Sequence, residues 1–420
     1  MKTFRTPRAA AVLLALAAPG LAGGAGAVQA AELSGRVALT YGSVTTAADS
    51  LSAMFGPVSH ARFLGNARLQ WQHSWGNVSV EIHDRLAVEI GPGVAIDNGL
   101  AALMPPAPPG NYLNLDRSFT DASGRRITQT IDRLSLGFSS PSLVVKLGRQ
   151  TLTWGSGQTF HPMDLMAPFS PAATDTEFKP GVDMLYLQWL MKNGDDLELI
   201  AVPRRATAGG PATAQASTFG ARYRGTPGAV SVEAILARDH GDSTAGIGLS
   251  GALGGAAWNA ELVPTRLAGG QMRVSGLANI STAVDLAGHS AVISAEYFHN
   301  GFGLPGSGGA LASLPPELRT RLARGQLFTL FRDYLALGAS VELSPLTTLR
   351  AGGIVNLADN SSLSTLALDW SLSDNTSLIL GGQFPAGRRG TEFGGLPLSG
   401  GGAPYAVPET SVYIQFRHYF

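Results

Sequence analysis

The sequence predicts an all-β protein, a transmembrane antiparallel β-barrel of about 18 strands, or about 16 on the alternative count. Three observations support this prediction. From residue 33 onward, apolar and polar residues alternate with a period of two. The alternating segments run for about ten residues, the length at which a tilted strand crosses a bilayer. The connections between them alternate between tight turns and long loops.

The first residues predict a secretory signal peptide over 1–30. The segment "MKTFRTPR" carries three basic residues, and the apolar run "AAAVLLALAAPGLA" follows it. Val28 and Ala30 suit the −3 and −1 positions of signal peptidase, so we expect maturation before Ala31. The alternative is a soluble N-terminal helix. We therefore expect an exported protein in which residues 31–420 form a single outer-membrane β-barrel domain.

Composition narrows the classes of function. The chain has 420 residues, no cysteine, 14% charged residues and a formal net charge of +0. The absence of cysteine excludes disulfides and cysteine-ligated zinc. A neutral chain offers no basic surface for nucleic acid, so no nucleic-acid partner is expected. No later stretch reaches the roughly 20 apolar residues of a membrane helix.

The strands follow from alternation and turn residues. In "YLALGASVEL" (334–343), leucine and valine side chains share one face and Glu342 lies on the other. Leu368 and Trp370 similarly oppose Asp369 in "LSTLALDWSL". The predicted strands are 33–42, 61–74, 77–90, 127–138, 142–152, 181–191, 195–204, 215–224, 228–239, 243–252, 256–266, 272–286, 289–299, 329–343, 346–357, 362–372, 376–384 and 409–420.

Turn lengths predict the orientation of the barrel. Short turns such as "SPL" near 345 and "SDN" near 374 alternate with long loops. The long loops are 43–60, 91–126, 153–180, 300–328 and 386–408. Short periplasmic turns and long extracellular loops are typical of outer-membrane barrels. An even number of strands places both termini on the periplasmic side.

The last strand, "TSVYIQFRHYF", places Val412, Ile414 and Phe416 on one face and ends on Phe420. This ending resembles the C-terminal signal of Gram-negative outer-membrane proteins, which finish on an aromatic residue after alternating hydrophobic residues. The resemblance implies that Phe420 is an assembly signal and that the barrel-assembly machinery is a partner. It also implies location in the outer membrane of a Gram-negative bacterium.

The two faces of the strands predict where charge lies. The apolar face must meet outer-membrane lipid, so the polar face lines water. The predicted lumen residues are Arg36, Arg68, Glu81, Arg85, Arg133, Lys146, Glu198, Arg222, Arg224, Glu233, Glu261, Arg273, Glu296, Glu342, Arg350, Asp369 and Arg417. Basic residues outnumber acidic ones, which favours a weak preference for anions. The alternative is that these charges pair across strands and stiffen the wall.

Aromatic residues near the strand ends predict interfacial girdles. They are Trp71, Trp75, Trp189, Trp258, Trp370, Tyr413 and Tyr419.

The segment "GRQTLTWGSGQTFHPMDLMAPFSP" (148–171) abandons the alternation. With "TDTEFKPGVDMLYLQWL" it resembles a block of alginate-export and phosphate-selective porin-like outer-membrane proteins, over residues 148–191. The resemblance implies an outer-membrane channel, for which a homotrimer is the usual porin arrangement. We expect residues 154–180 to fold into the mouth or lumen, because their apolar side chains need a surface to pack on. The alternative is a compact outer lid.

The predicted polar contacts of this constriction are Arg149, Trp154, His161, Asp164, Asp175, Glu177 and Lys179. A catalytic or metal site here is the competing hypothesis. No second histidine lies near His161 in the sequence, and the chain has no G-x-S-x-G or H-E-x-x-H motif. We therefore expect no enzyme activity, no metal and no cofactor.

The leading functional hypothesis is a passive channel for small polar or weakly anionic solutes. The second is an outer-membrane component of an export or lipid-transport system, which needs a periplasmic partner. The third is an outer-membrane hydrolase, which needs a serine and a histidine near the lipid-facing rim. A TonB-linked transporter is disfavoured because no plug domain precedes the first strand. The sequence does not determine the solute.

Overall fold

The computed structural model describes residues 32–103, 110–121, 124–400 and 402–420. The signal peptide predicted over 1–30 lies outside these residues. Strands make up 59% of the structure and helices 7%. Sequence alternation explains this composition, since period-two segments separated by turn residues have the pattern of strands and not of helices.

The strands in the first half of the chain are β1 (Glu32–Thr45), β2 (Ser59–Trp75), β3 (Val78–Ile90), β4 (Asp116–Asp121), β5 (Arg125–Ser139), β6 (Leu143–Gln150), β7 (Val182–Leu190), β8 (Asp196–Val202), β9 (Thr218–Gly225) and β10 (Ser231–Asp239). Those in the second half are β11 (Asp242–Leu253), β12 (Ala256–Arg266), β13 (Met272–Leu286), β14 (His289–His299), β15 (Asp333–Ser344), β16 (Thr347–Asn356), β17 (Ser362–Ser373), β18 (Thr376–Ala386), β19 (Leu396–Ser399), β20 (Gly402–Ala406) and β21 (Thr410–Tyr419).

The sheet closes on itself as an antiparallel 18-strand barrel. Strand β1 pairs with β2 on one side and with β21 on the other, and the second pairing joins Arg36 to Tyr419 and Thr45 to Thr410. Closure leaves no unpaired edge, which is the condition for a sheet to span lipid. The prediction of an antiparallel barrel is confirmed.

Several elements of the long loops were not predicted. Strand β4 pairs with the start of β5, and β19 and β20 form a hairpin of their own. Helices α1 (Gly93–Leu103) and α2 (Pro316–Ala323) also lie in these loops. These strands and helices of the long loops are short, and their sequences lack the period-two alternation that identified the barrel strands.

Turns and loops alternate as predicted. The turn between β11 and β12 consists of Gly254 and Gly255, with φ of 57° and 88°. Positive φ at both central residues is the geometry of the tight hairpin turn, which glycine adopts at no steric cost. The long connections, all at the other end of the barrel, are 46–58, 91–124, 151–181, 203–217, 300–332 and 387–409.

The outward face of the strands is apolar. Leu337, Leu366 and Val412 are among its exposed side chains. The tryptophans of the strands lie near the tight-turn end; they are Trp71, Trp75, Trp189, Trp258 and Trp370. Tyr413 and Tyr419 differ from the predicted girdle, since they lie on the opposite face of β21 from Val412 and so point into the barrel.

Among the described residues, no helix is long and apolar enough to cross a membrane.

The interior is unevenly filled. Residues of the 151–181 connection pack with β7, β8, β10 and β12 in one apolar cluster, and with β13 to β16 in a second. The 300–332 connection adds a third cluster around Leu318 and Phe302. This packing fills the lumen along β7–β16. Open space remains beside the strands near the closure.

Candidate functional site

The connection between β6 and β7, residues 151–181, lies inside the barrel and is called the inner loop below. Its first part contacts inward side chains of β8, β10, β12 and β14. Its last part contacts β18, β21, β1, β2 and β5. The inner loop therefore follows the inner wall around most of the barrel.

Four glutamates hold the first part of the inner loop. They are Glu198 on β8, Glu233 on β10, Glu261 on β12 and Glu296 on β14. The indole N–H of Trp154 donates to Glu198 at 3.0 Å, and the N–H of Gly155 donates to Glu233 at 2.9 Å. The N–H of Ser156 donates to Glu261.

Glu296 accepts three backbone hydrogen bonds. They come from the N–H groups of Gln158 at 2.8 Å, Thr159 at 3.0 Å and Phe160 at 2.8 Å. These loop donors would otherwise be buried without a partner, which is costly inside a protein. The carboxylates gain donors in return, which offsets their removal from bulk water.

Two glycines permit this close approach. Gly155 has a φ of 87°, and a Cβ there would lie 2.7 Å from a carboxylate oxygen of Glu261. A Cβ on Gly157 would collide with the carbonyl oxygen of Phe160. The motif Trp-Gly-Ser-Gly thus suits a backbone that runs directly against acidic side chains.

Apolar contacts fix the middle of the inner loop. The Phe160 ring stacks on Phe298 with centroids 4.5 Å apart, and lies 5.7 Å from the Tyr334 ring. Trp154 is 1% exposed and Met163 0%. Burial of such large side chains contributes roughly 1.5–3 kcal/mol each, so the loop is held by packing as well as by hydrogen bonds.

Lys179 and Asp164 form a buried ion pair within the loop. The Lys179 ammonium also donates to the Leu152 carbonyl and to Thr153 Oγ1, the latter at 3.0 Å. Burial lowers the pKa of Lys179 and also the pKa of His161. A lowered pKa keeps the His161 imidazole neutral at pH 7.

Asp175 and Glu177 point the opposite way, toward the closure of the barrel. Both pair with Arg36 on β1, at 2.7 Å and 2.5 Å. The Tyr419 hydroxyl donates to Glu177 at 2.8 Å, and Arg417 lies 3.9 Å from Asp175. Burial opposes ionisation of Asp175, but its hydrogen bond to Arg36 and the charge of Arg36 outweigh burial and lower its pKa.

Arginines line the wall near the closure, on β21, β1, β2, β3 and β5. Arg68 and Arg133 share the carboxylate of Asp132. Arg36 and Arg68 also lie over the Phe178 ring, at 4.8 Å and 4.2 Å. These contacts tie the end of the inner loop to the basic wall.

Arg85 on β3 differs from its neighbours. It lines open space, and its side chain makes no hydrogen bond or ion pair with any described residue. Its Nε is buried without a partner. Arg85 is therefore a free cationic group on the inner wall.

The open space is a cavity of ≈ 700 Å³ between the inner loop and the wall. Loop residues 172–175 form one side. The other sides are strands β1, β2, β3, β5 and β21, with Arg85, Arg126 and Gln415 among the lining residues. Arg62, Arg85 and Arg126 face this space together with Glu89, Asp175 and Glu409. The glutamates of β8–β14 are occupied by the loop backbone.

Other predicted lumen residues pair along the inner wall. Arg222 pairs with Glu198, Arg224 with Asp196 at 2.9 Å, and Arg273 with Glu317 of α2 at 2.7 Å. Arg350 pairs with Asp369 at 3.4 Å. Glu81 pairs with His83 at 3.2 Å if that histidine is protonated. Lys146 lies beside Gly137, and Glu342 is exposed.

Arg149 does not join the other predicted constriction residues. Arg149 lies two residues after Leu147 on β6 and is in register with Asp183 on β7. Leu147 is likewise in register with Leu185, and both of these leucines are exposed. Two-residue spacing puts Arg149 on the outward face. It bonds Asp183 at 2.9 Å and the Leu113 carbonyl, so segment 110–116 covers it from outside. The sequence could not show this cover.

Sequence reasoning missed several charged residues of the site. Asp132 is the unpaired residue of a bulge in β5, so Asp132 and Arg133 both turn inward. Arg62 and Arg126 share Glu89, at 2.5 Å and 3.1 Å. Arg62 and Glu89 lie within the predicted second and third strands, on the same face as Arg68 and Arg85, so alternation was sufficient to identify them. Arg126 precedes the bulge, so alternation counted from Arg133 places it on the wrong face.

Solved structures of similar shape exist. OccAB1 of Acinetobacter baumannii matches with a TM-score of 0.52 and 10% identity, covering 93% of this chain and 96% of that one. OpdQ of Pseudomonas aeruginosa matches at 0.51 and 7%, covering 93% and 98%. The chain has the fold of the outer-membrane porins.

A third structure, OccK8 (OprE) of Pseudomonas aeruginosa, matches with a TM-score of 0.51 and 8% identity, covering 93% of this chain and 98% of that one. No protein-family model and no curated protein matches the chain. The porin-like fold expected from residues 148–191 and from the terminal strand is thereby confirmed. Identities this low show the fold, and the solute must be argued from the site.

Proposed function

We propose that the protein is a passive outer-membrane channel for small polar or weakly anionic solutes. The observation that carries this proposal is the cavity beside Arg85, an open space lined by a cationic side chain that pairs with no acidic side chain in the described part of the chain. Desolvated arginines attract carboxylate and phosphate groups strongly. A passive channel needs no cofactor and no energy source.

The inner loop acts as the constriction in this proposal. Asp175 lines the cavity and pairs with Arg36, so the loop narrows the lumen on the side where space remains. Its four glutamate anchors hold it against the opposite wall. Solutes therefore pass between Asp175 on the inner loop and the wall that carries Arg85.

The same contacts argue against an enzymatic role. Asp164 and Lys179 are committed to each other, and Asp175 and Glu177 to Arg36. The half-buried His161 makes no side-chain hydrogen bond to a described carboxylate. A general base must lie within hydrogen-bonding reach of the proton that it abstracts and be free to accept it, and the carboxylates of Asp164, Asp175 and Glu177 are engaged by Lys179 and Arg36.

The test is single-channel recording of the full chain in planar bilayers. We expect discrete conductance steps and, in a potassium chloride gradient, a reversal potential that indicates a preference for chloride. Arg85→Gln should reduce that preference. Arg350→Gln is the matched control, since it removes an inner-wall arginine that does not line the cavity.

Two results would overturn the proposal. A folded barrel that gives no conductance would favour an export component that needs a periplasmic partner. Equal shifts in reversal potential for Arg85→Gln and Arg350→Gln would show that Arg85 does not select anions.

A further inference from the structure

An open groove of ≈ 760 Å³ runs along the outward face of the barrel, near the long-loop ends of β8 to β13. Its sides are the large apolar side chains of Leu199, Phe219, Leu236 and Met272, all exposed. Its floor includes Ala221 and Ala245, which are small. The groove arises because small outward residues on β9 and β11 lie between larger ones on neighbouring strands.

Two arginines stand at the extracellular end of this groove. Arg238 on β10 pairs in register with Ser243 on β11, and Ser243 pairs with Arg266 on β12. The three residues form a row across adjacent strands, so the arginine Cα atoms lie about 10 Å apart. Arg238 lies on the same face as Leu236, and Arg266 pairs in register with Met272, so both arginines point outward.

These arginines have no counter-ion among the residues that the structure describes. Both are exposed, and neither makes a hydrogen bond or ion pair with any described residue. The nearby acids face the interior and are already engaged. Asp242 pairs with Arg321 at 2.6 Å, and Asp239 accepts a hydrogen bond from Gln326 at 2.8 Å.

Unpaired charge at the lipid-facing rim has a cost unless something neutralises it. An arginine on the lipid face destabilises the barrel slightly near the interface and more at greater depth. A phosphate between the two guanidinium groups would accept several charge-assisted hydrogen bonds. An apolar groove directly below them has the shape of a site for an acyl chain.

We propose that this groove binds a phosphate-bearing lipid of the outer leaflet. Its phosphate lies between Arg238 and Arg266, and one acyl chain lies along the floor formed by Ala221 and Ala245. This site is separate from the channel, because it is on the other side of the wall. It would hold one lipid at a defined place on the barrel circumference.

The test is native mass spectrometry of the full chain in detergent, titrated with lipid A and with chemically dephosphorylated lipid A. Wild-type barrel should retain lipid A at least tenfold more tightly than the double variant Arg238→Gln, Arg266→Gln. Removing the phosphates should abolish that difference. Heat-modifiable gel migration confirms that each variant is folded.

The matched control is Arg319→Gln with Arg388→Gln, two exposed loop arginines outside the groove. It removes the same charge and should leave lipid A binding unchanged. A second variant, Ala245→Trp, fills the groove floor and should weaken binding while both arginines remain.

Three outcomes would overturn the proposal. The first is equal loss in the control and groove variants, which would indicate attraction by net charge. The second is equal binding of dephosphorylated lipid A. The third is a second copy of the chain occupying the groove, seen as a dimer that Ala245→Trp dissociates without any change in lipid A binding.

Discussion

Glu392 joins two long loops to the barrel. Its carboxylate accepts hydrogen bonds from the Tyr334 hydroxyl at 2.6 Å, the Asn356 amide at 2.8 Å and the Leu330 N–H at 2.8 Å. Burial raises its pKa from 4.5 to about 7, and this effect outweighs the three donors. Asp359, whose carboxylate accepts the Glu392 N–H at 2.7 Å, raises the pKa further.

This raised pKa predicts pH-dependent docking of the loops. The folded state binds more protons than the unfolded state between pH 4.5 and about 7. The contribution of Glu392 is therefore fully present below pH 4.5 and is lost as pH rises through about 7. Hydrogen exchange at Leu330, corrected for intrinsic rates, should be slower at about pH 5.5 than at about pH 8.

Glu392→Gln is the control, because glutamine has nearly the same shape and does not titrate. It should show the same protection at both pH values. Equal protection of Leu330 at the two pH values in the wild type would contradict the raised pKa.

Side-chain direction along β17 gives a second residue-level prediction. Leu368 points to lipid and Asp369 to the lumen, where it pairs with Arg350 at 3.4 Å. Leu368→Arg should destabilise the barrel by about 2–4 kcal/mol, because it places a charge near the membrane midplane. Asp369→Asn should cost about 1 kcal/mol or less, since a solvated pair contributes little. Urea unfolding in lipid vesicles measures both, and equal costs would mean that the register is wrong.

The inner loop is the element that shapes the lumen. Its backbone donors meet the wall glutamates on one side, and its Asp175 and Glu177 meet Arg36 on the other. Both ends of the inner loop are attached to the neighbouring strands β6 and β7. The loop must therefore be long enough to reach the far wall and return, so its contacts depend on its full length.

Deletion of residues 157–170 should therefore raise single-channel conductance and relax ion preference. The shortened loop cannot reach both Glu261 on β12 and Gln383 on β18, so it must leave part of the wall. It also loses the Phe160 stack and the three hydrogen bonds to Glu296. Planar-bilayer recording of a variant with heat-modifiable migration is the measurement. Unchanged conductance in that folded variant would remove the constriction.

At the scale of the molecule, charge is divided between the two halves of the barrel. Glutamates on β8–β14 hold the loop backbone, and Arg62, Arg85 and Arg126 on β2, β3 and β5 face the cavity beside Glu89. Formal net charge of the chain is +0. The anion preference that we propose therefore comes from the arrangement of charge around the lumen and not from an excess of basic residues.

Closure of the barrel gives the last prediction. The N–H of Phe420 donates to the Gly35 carbonyl at 3.1 Å, and the Gly35 N–H donates to Phe420 at 2.8 Å. Deleting Phe420 removes both bonds at the seam as well as the terminal aromatic ring. We expect less heat-modifiable barrel in the outer-membrane fraction, with Phe420→Tyr as the control that keeps both features. Normal insertion of the deletion variant would count against Phe420 as an assembly signal.

Alternation and turn residues were sufficient to predict the barrel. Strands β12, β13 and β14 have the predicted boundaries, and other strands differ by a few residues at their ends. The reason is that one face of each strand meets lipid and the other meets water or polar groups. The alternation of apolar and polar residues along the sequence therefore shows which side chains face lipid. The inward direction of Arg36, Arg68 and Glu296 followed from the same alternation.

Only the tertiary structure decided which of these groups meet. The pairing of Glu198, Glu233, Glu261 and Glu296 with the loop backbone joins segments far apart in the chain, and backbone donors carry no sequence signal. Arg149 lies on the outward face by the alternation of β6, but only the fold shows that segment 110–116 covers and buries it there. Asp132 turns inward because a bulge breaks the alternation of β5. Local pattern determines the face of a strand, whereas contacts across the lumen depend on how the loops fold back into it.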